Sequence, residues 1–335
     1  MSRIAVIGAG SWGTALALAL ERHGGHSIRL WSHTQHVADS IERERENRAY
    51  LPGFRIPDSI TVTTGLDAAV GDAEILVLVV PSEHLRSVCQ SLAPSISSNH
   101  VIVNATKGIE DASCLRMSQV IADVFAQHRR QIPHAVLGGP SFAQEVASGS
   151  PTAITVAAQD ARFAVRIQEE FSGPTLRLYT NDDVIGVEVG GALKNVIAIA
   201  AGATHGLGLG HNTVAALITR GIAEMTRLAI ACGGQPETLA GLAGLGDLVL
   251  TCTGTLSRNR YVGVELGRGR GLRQILDGMH GKVAEGVRTT HAALGLARSL
   301  HVEMPITEQV ACLLEERISA ERAVRELMAR PGRDE

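Results

Sequence analysis

The chain has 335 residues, which is enough for two domains with separate hydrophobic cores. A formal net charge of −3 without a strongly basic segment argues against nucleic acid as a partner. We expect no apolar run to reach the ~20 residues that span a bilayer, and the sequence begins without a signal-peptide pattern. We therefore expect a cytoplasmic protein with no membrane span.

Short aliphatic strands alternate with helical segments in the first half of the chain. A helix is predicted at 14–24, and strands are predicted at 3–8, 27–31, 74–82, 101–108, 134–141, 152–158 and 176–181. This alternation predicts an α/β fold with a Rossmann-type, doubly wound parallel sheet. Ligands of such sheets bind beyond the carboxyl ends of the strands, where this chain places its polar and glycine-rich turns.

The pattern changes after about Asn181. The segment 184–206 is long, apolar and free of proline, and the later segments have the pattern of helices separated by glycine-rich turns. We predict a dinucleotide-binding domain at 1–182 and a mostly α-helical substrate and catalytic domain at 183–335.

Three glycines, Gly8, Gly10 and Gly13, follow the first predicted strand in G-x-G-x-x-G spacing and open the first predicted helix. In that context the spacing predicts dinucleotide binding, because glycine lets the backbone approach a pyrophosphate and the helix N-terminus offers free N–H groups. A glycine-rich turn without a ligand is the alternative.

Ser32 and His33 lie about 20 residues past these glycines, where NAD-selective folds carry an acid. A 2′-phosphate would not be repelled there, and both side chains can donate a hydrogen bond to it. We expect NADP or NAD as the cofactor, with NADPH preferred. The alternative is a solvent-facing turn without selectivity.

Lysine is rare, and Lys107 and Lys194 stand in unusual places. Lys107 follows a strand end, and Lys194 lies inside the apolar segment 184–206, where a charge is costly without a role or partner. A carbonyl reductase needs a proton donor, so Lys194 is a candidate. A surface lysine whose stem packs on the helix is the alternative.

The segment 243–260, "AGLGDLVLTCTGTLSRNR", carries a second group of polar residues. Asp247 follows a glycine-rich turn and could pair with the catalytic ammonium. Ser257, Arg258, Asn259 and Arg260 form a donor-rich cluster suited to a phosphate. A solvated helix start capped by Ser257 is the alternative.

Several motifs occur in order along the chain: "GAGSWGTALA", "VVPS", "ATKG", "GGPSFAQEV", "GGALKNVIAIAAG", "AGLGDLVLTCTGTLSRNR", "VAEGV" and "VEMPITE". Together they resemble the bacterial NAD(P)-dependent glycerol-3-phosphate dehydrogenases over essentially the whole length. The resemblance implies reversible reduction of dihydroxyacetone phosphate to sn-glycerol 3-phosphate for glycerophospholipid synthesis.

The resemblance also implies roles for individual residues. Lys194 would be the general acid/base, and Asp247 would orient it together with the substrate hydroxyl. Asn195 and Thr251 would lie in or behind the substrate pocket. The substrate-binding residues would be Lys107, Gly139, Ser141, Lys194, Asp247, Ser257, Arg258 and Asn259. The cofactor-binding residues would be Gly8, Gly10, Ser11, Trp12, Gly13, His33, Lys107, Ala143, Arg258, Val283 and Glu285. No metal is expected.

Two departures from the family pattern are visible. Many relatives carry arginine where this chain has Ser32 and His33, and an extra glycine in "ERHGGHS" could shift the second strand. Two other functions remain open: a different β-hydroxyacid or sugar-acid dehydrogenase with Arg258 on a carboxylate, and a non-catalytic NAD(P)H sensor. The sequence leaves the oligomeric state open, with a homodimer as the arrangement to test.

Overall fold

The computed structural model describes residues 2–97, 99–279 and 283–332. The chain divides into two compact units. The first contains the chain up to Lys107 and Arg116–Glu188, and the second contains Gly108–Leu115 and the chain from Val189 onward. The border predicted after residue 182 remains a prediction about the functional domains.

The first unit is built around a mixed sheet with helices. Its strands are β1 (Ser2–Ile7), β2 (His26–Trp31), β3 (Glu46–Asn47), β4 (Leu51–Arg55), β5 (Ile60–Thr63), β6 (Ile75–Leu78), β7 (Val101–Asn104), β8 (His134–Gly138), β9 (Thr152–Ala157) and β10 (Leu176–Asn181). Its helices are α1 (Ser11–His23), α2 (Gln35–Glu44), α3 (Leu66–Val70), α4 (Ser82–Leu92), α5 (Met117–Gln127), α6 (Ala143–Ser148) and α7 (Ala161–Phe171).

Within the described residues, eight strands form one sheet in the order β10-β9-β8-β7-β6-β1-β2-β5. The strands from β5 to β8 are parallel, which confirms the predicted Rossmann-type sheet. One step differs, because β9 runs antiparallel to β8. The connection between them carries only the short helix α6 (Ala143–Ser148), whereas the crossover between parallel strands is usually built around a longer α-helix.

Two of the parallel strands end earlier than predicted. The strand predicted at 74–82 ends at Leu78, and the one predicted at 101–108 ends at Asn104. The polar motifs that follow them therefore lie in loops beyond the sheet. The small antiparallel hairpin of β3 and β4 and the edge strand β5 had no counterpart in the prediction.

The second unit is helical over its described residues. Helix α8 (Val184–Gly206) begins in the first unit and has the bounds predicted for it. It is followed by α9 (His211–Ala231), α10 (Pro236–Ala240), a π-helical turn (Leu242–Gly246), α11 (Asp247–Thr253), α12 (Arg258–Gly267), α13 (Leu272–Asp277), α14 (Glu285–Ser299), α15 (Pro305–Leu314) and α16 (Ala320–Met328).

Helices α8 and α12 cross with their backbones in contact. A Cβ atom built on Gly202 of α8 would overlap the backbone oxygen of Arg260, and one on Gly263 of α12 would overlap that of Ile199. Gly206 and Gly267 meet in the same way one turn along. The four glycines let the helices approach more closely than any side chain would permit.

Helix α8 corrects the expectation that no apolar run reaches the length needed to span a bilayer. Its 23 residues are long and apolar enough to cross a bilayer, with a mean hydropathy of 1.6 in the best 18-residue window. However, 89% of that window is buried inside the protein. Glu188 and Lys194 interrupt an otherwise apolar segment, and its burial identifies it as a core helix.

Candidate active site

The glycine turn between β1 and α1 has the geometry of a dinucleotide cradle. Gly8 has a φ of 129°, and a Cβ on Gly8 or Gly13 would overlap the backbone oxygen of Val79 or of Gly8. A Cβ on Gly10 would meet no atom within 4 Å. Gly8 and Gly13 are thus required by the turn itself, whereas Gly10 keeps open the side from which a ligand would approach.

The start of α1 adds donors to this cradle. Gly10 is the N-cap, and among the described residues no side chain caps the helix, so its first N–H groups remain for a ligand. The indole Nε1 of Trp12 is buried and has no hydrogen-bond partner among the described residues. The Ser11 hydroxyl donates to the oxygen of Tyr50 at 2.8 Å. Uncapped N–H groups and an unpaired indole N–H suit a dinucleotide phosphate chain.

The loop after β2 separates Ser32 from His33. Ser32 is 2% exposed, and its hydroxyl donates to the oxygen of Thr34 at 3.0 Å, so it shapes the turn. This corrects the expectation that Ser32 donates to a 2′-phosphate. His33 is exposed, with its ring 5.8 Å from that of Trp31. Of the two residues, His33 is therefore the one with a side chain accessible from outside the turn.

The ends of β7 and β8 bring three of the predicted residues together. Lys107 Nζ donates to the oxygen of Gly139 at 3.3 Å, and the Ser141 hydroxyl donates to the same oxygen at 3.0 Å. Gly139 has a φ of 122°, and a Cβ there would lie 3.1 Å from Ile154 Cα. Ala143, the first residue of α6, is half-buried nearby in the chain.

Lys194 and Asp247 form a buried ion pair in the second unit. Lys194 Nζ on α8 lies 2.5 Å from Asp247 Oδ1 at the start of α11. Lys194 is 8% exposed and Asp247 is fully buried. The Thr251 hydroxyl, one turn along α11, donates to the backbone oxygen of Asp247 at 2.6 Å. A lysine ammonium is thus held by a fixed carboxylate, which is the arrangement of a positioned proton donor.

A hydrogen-bonded chain runs beside this pair. Asn259 Nδ2 donates to Asn195 Oδ1 at 2.8 Å, and Asn259 Oδ1 accepts from the N–H of Gly286 at 2.9 Å. A Cβ on Gly286 would lie 2.6 Å from the oxygen of Asn195. Asn259 therefore ties α8 and α12 to the first turn of α14, in addition to the substrate role predicted for it.

The start of α12 combines a cap with an exposed cation. Ser257 is buried, and its hydroxyl accepts from the N–H of Arg260 at 3.2 Å, as the capping alternative predicted. Arg258, the first residue of the helix, is exposed. Val283 and Glu285, predicted on the nicotinamide side, flank the start of α14 and are half-buried.

Other chemistry has little support in the part of the chain that is described. Burial raises the pKa of the Cys252 thiol to about 12, so it stays protonated at neutral pH and is a poor nucleophile. Within residues 2–97, 99–279 and 283–332 there is no group of three or more His, Cys, Asp or Glu side chains that could hold a metal ion.

Two family models match the chain in succession. Residues 3–164 match the N-terminal part of NAD-dependent glycerol-3-phosphate dehydrogenase, and residues 183–325 match its C-terminal part. A glycerol-3-phosphate dehydrogenase [NAD(P)+] of Acidobacterium capsulatum is 64% identical, and the match covers 100% of both chains. The chain belongs to the NAD-dependent glycerol-3-phosphate dehydrogenase family.

Further relatives agree with membership of the glycerol-3-phosphate dehydrogenase family. The Koribacter versatilis enzyme of the same name is 58% identical over 100% of this chain and 99% of its own. The crystal structure of glycerol-3-phosphate dehydrogenase from Coxiella burnetii has a TM-score of 0.93 at 42% identity, covering 98% of this chain and 99% of that one. The chain is therefore an NAD(P)-binding oxidoreductase with the Rossmann-plus-helical architecture of the family.

The residues that sequence reasoning missed in this glycerol-3-phosphate dehydrogenase fold are supporting ones. Asn47 donates a hydrogen bond to the glycine turn, and the N–H of Gly286 donates to Asn259 at the end of the hydrogen-bonded chain described above. Asn47 lies far from the G-x-G-x-x-G segment in sequence, so no local pattern pointed to it. Gly286 stands in the quoted motif "VAEGV", where the glycine was the available signal.

Proposed function

We propose that this chain catalyses the reversible reduction of dihydroxyacetone phosphate to sn-glycerol 3-phosphate with NAD(P)H. The observation that carries the proposal is the buried pair of Lys194 and Asp247, 2.5 Å apart on α8 and α11. Reduction of a ketone creates an alkoxide that needs a proton, and a buried ammonium can supply it and stabilise the developing charge.

The proton step is assigned to Lys194. In reduction its ammonium donates a proton to the substrate oxygen and becomes a neutral amine; in oxidation the neutral amine takes the proton back from the substrate hydroxyl. Asp247 holds Nζ at a fixed position, and Thr251 holds the first turn of α11 through the backbone oxygen of Asp247. A donor that is already fixed needs no reorganisation when charge develops on the substrate oxygen. For this reason we interpret the pair as catalytic and not as a purely structural ion pair.

The remaining substrate contacts are proposed for two groups of residues. Ser257, Arg258 and Asn259 bind the phosphate, since Arg258 is exposed at a helix N-terminus, where both the guanidinium and the N–H groups attract an anion. Lys107, Gly139 and Ser141 contact the substrate from the ends of β7 and β8. A phosphate held away from the reacting carbon lets binding energy serve alignment.

The dinucleotide is proposed to bind at the glycine turn. Gly8, Gly10 and Gly13 form the cradle, Ser11 and Trp12 flank it, and the uncapped N–H groups of α1 face the phosphates. Further contacts are assigned to His33, Lys107, Ala143, Arg258, Val283 and Glu285. When bound, the dihydronicotinamide supplies the hydride.

We propose that NADPH is preferred over NADH. His33 has an exposed side chain in the loop after β2, and its ring can donate a hydrogen bond to a 2′-phosphate. His33→Glu should shift the ratio of kcat/KM towards NADH, because a carboxylate repels the 2′-phosphate. His36→Glu, the same charge change at an exposed residue of α2, is the control. If NADH were used about tenfold more efficiently than NADPH by the unmodified enzyme, this preference would be wrong.

The cellular setting follows from the same proposal. A cytoplasmic enzyme of this activity supplies the glycerol phosphate backbone of glycerophospholipids, and we propose that setting and a homodimeric state for this chain. Light scattering of the purified protein measures its oligomeric state directly.

The deciding experiment follows oxidation of NADPH and NADH in parallel with dihydroxyacetone phosphate as acceptor. Turnover with this acceptor and none with 2-keto acids is expected. Turnover with 2-keto acids alone would make the protein a hydroxyacid dehydrogenase, with Arg258 on a carboxylate. Cofactor binding without turnover of either acceptor class would make it a sensor.

A further inference from the structure

The hairpin of β3 and β4 contacts the glycine turn between β1 and α1. After α2 the chain forms β3 and β4, and Asn47 of β3 is 1% exposed. Its amide Nδ2 donates to the backbone oxygen of Ala9 at 2.9 Å and to Thr14 Oγ1 at 2.9 Å. One side chain thus connects Ala9, between the first two glycines of the G-x-G-x-x-G segment, to the first turn of α1.

The other end of the same amide is also engaged. Asn47 Oδ1 accepts from the N–H of Tyr50 at 3.3 Å, and the oxygen of Tyr50 accepts from the Ser11 hydroxyl at 2.8 Å. The hairpin therefore contacts the cradle twice, through Ala9 and through Ser11. Both N–H bonds of the Asn47 amide have acceptors in the cradle, so its orientation is fixed.

The contact with Ala9 has a direct consequence for Gly10. The oxygen of Ala9 and the N–H of Gly10 belong to one planar peptide group and point in opposite directions. A hydrogen bond that fixes the oxygen therefore fixes the direction of the N–H. Gly10 caps α1, and its Cβ side is open, so the fixed N–H belongs to the cradle that would face a pyrophosphate.

We propose that Asn47 is a positioning residue for the dinucleotide. It orients the Ala9–Gly10 peptide and the start of α1 before the ligand arrives, so that binding does not have to order a glycine-rich turn, which would be entropically costly. The proposal rests on the proposed function only in requiring a bound nicotinamide dinucleotide.

The test compares three variants by their dissociation constant for NADPH, measured by calorimetry without substrate. Asn47→Leu keeps the volume and removes both donors, and we expect a dissociation constant raised about tenfold. Thr14→Val removes one acceptor and keeps the Ala9 contact, so a smaller rise is expected. Arg48→Ala, at an exposed residue of the same hairpin, should leave the constant unchanged.

Two further readouts separate positioning from folding. Hydrogen exchange of the amides at 8–14 should be faster in Asn47→Leu while the rest of the sheet keeps its protection. The KM for dihydroxyacetone phosphate should change much less than that for NADPH. If Asn47→Leu does not fold, the amide exchange rates and the NADPH dissociation constant of Thr14→Val test the proposal instead.

The proposal is overturned if Asn47→Leu, or Thr14→Val in its place, binds NADPH as tightly as the unmodified protein. The outcome is distinct from failure of the proposed function. That failure would appear as absence of turnover in the unmodified protein, while the NADPH dissociation constants would still answer the question about Asn47.

Discussion

Lys194 and Asp247 are charged groups inside an apolar helical unit, and the attraction between them offsets the cost of burying each charge. An unpaired charge in such a place carries a large desolvation cost, whereas a pair in good geometry offsets most of it. The sequence indicated both members, because a lysine in an apolar helix and an acid after a glycine turn are each unusual. Their distance of 2.5 Å could only come from the structure.

Removing the lysine should slow catalysis strongly and also weaken the fold. Lys194→Ala should lower kcat by about 10²–10⁴-fold, since a positioned acid contributes that much. It should also lower the melting temperature, because Asp247 is left buried without its cation. Steady-state kinetics and thermal unfolding measure the two effects.

The double variant Lys194→Met, Asp247→Asn separates these effects. It removes both charges, so its melting temperature should recover towards that of the unmodified protein while activity stays lost. Near-normal turnover in Lys194→Ala would remove Lys194 from the proton step. A double variant as inactive as the single one, with its stability restored, would support the assignment.

At the scale of elements, the crossing of α8 and α12 sets the spacing of two residues proposed to act on the substrate. Lys194 lies on α8 and Arg258 begins α12, and the glycine contacts fix the distance between these helices. A methyl group at the crossing has no space, because it would meet backbone atoms that cannot rotate away.

Gly263→Ala should therefore force the helices apart. We expect a loss of about 1–3 kcal/mol in the free energy of unfolding, typical of an overpacked core, and a higher KM for the phosphate substrate. Gly210→Ala is the matched control, since a Cβ there meets no atom within 4 Å and its φ is −78°. Equal stability of the two variants in denaturant titrations would contradict a rigid crossing.

The elements that the sequence predicted well are those with local signals. Helix α8 and strand β10 have the predicted bounds, because an apolar run and a short aliphatic run carry their own pattern. The reversal of β9 and the β3–β4 hairpin depend on which strand lies alongside, and that choice is made by distant parts of the chain. The role of Asn47 was hidden for the same reason.

The same distinction holds for the functional residues. Motifs indicated Lys194, Asp247 and the glycine turn, because their chemistry is unusual for their surroundings. The buried orientation of Ser32 was not predictable, since a serine after a strand is equally suited to a turn or a ligand.

At the scale of the whole molecule, His26 should make stability depend on pH. Its side chain is 3% exposed and stacks on His23, and its ring Nε2 lies 2.9 Å from the backbone oxygen of Glu170. Burial lowers the pKa of His26 below the ordinary histidine value of about 6.5, although the contact with Glu170 acts in the opposite direction. Below about pH 6.5 the unfolded chain binds the proton more readily, so stability is full above that pH and falls as the pH drops.

The measurement is thermal unfolding between pH 7.5 and about 5.5, a range that spans the ordinary histidine pKa. His26→Gln should flatten the decline in melting temperature on the acid side. His36→Gln, at an exposed histidine of the same unit, should leave the decline as it is. An unchanged slope in His26→Gln would mean that other groups carry the acid sensitivity.

The buried apolar helix α8 also has a consequence during synthesis on the ribosome. Its backbone partner α12 begins at Arg258, about 50 residues after α8 ends, which corresponds to several seconds of translation at ~5–20 residues per second. During that interval a segment apolar enough to enter a bilayer lacks α12, although α9 and α11, which also contact α8, are synthesised before α12. Nascent chains halted between α8 and α12 should therefore associate with chaperones or lipid vesicles, and chains extended past α12 should be released.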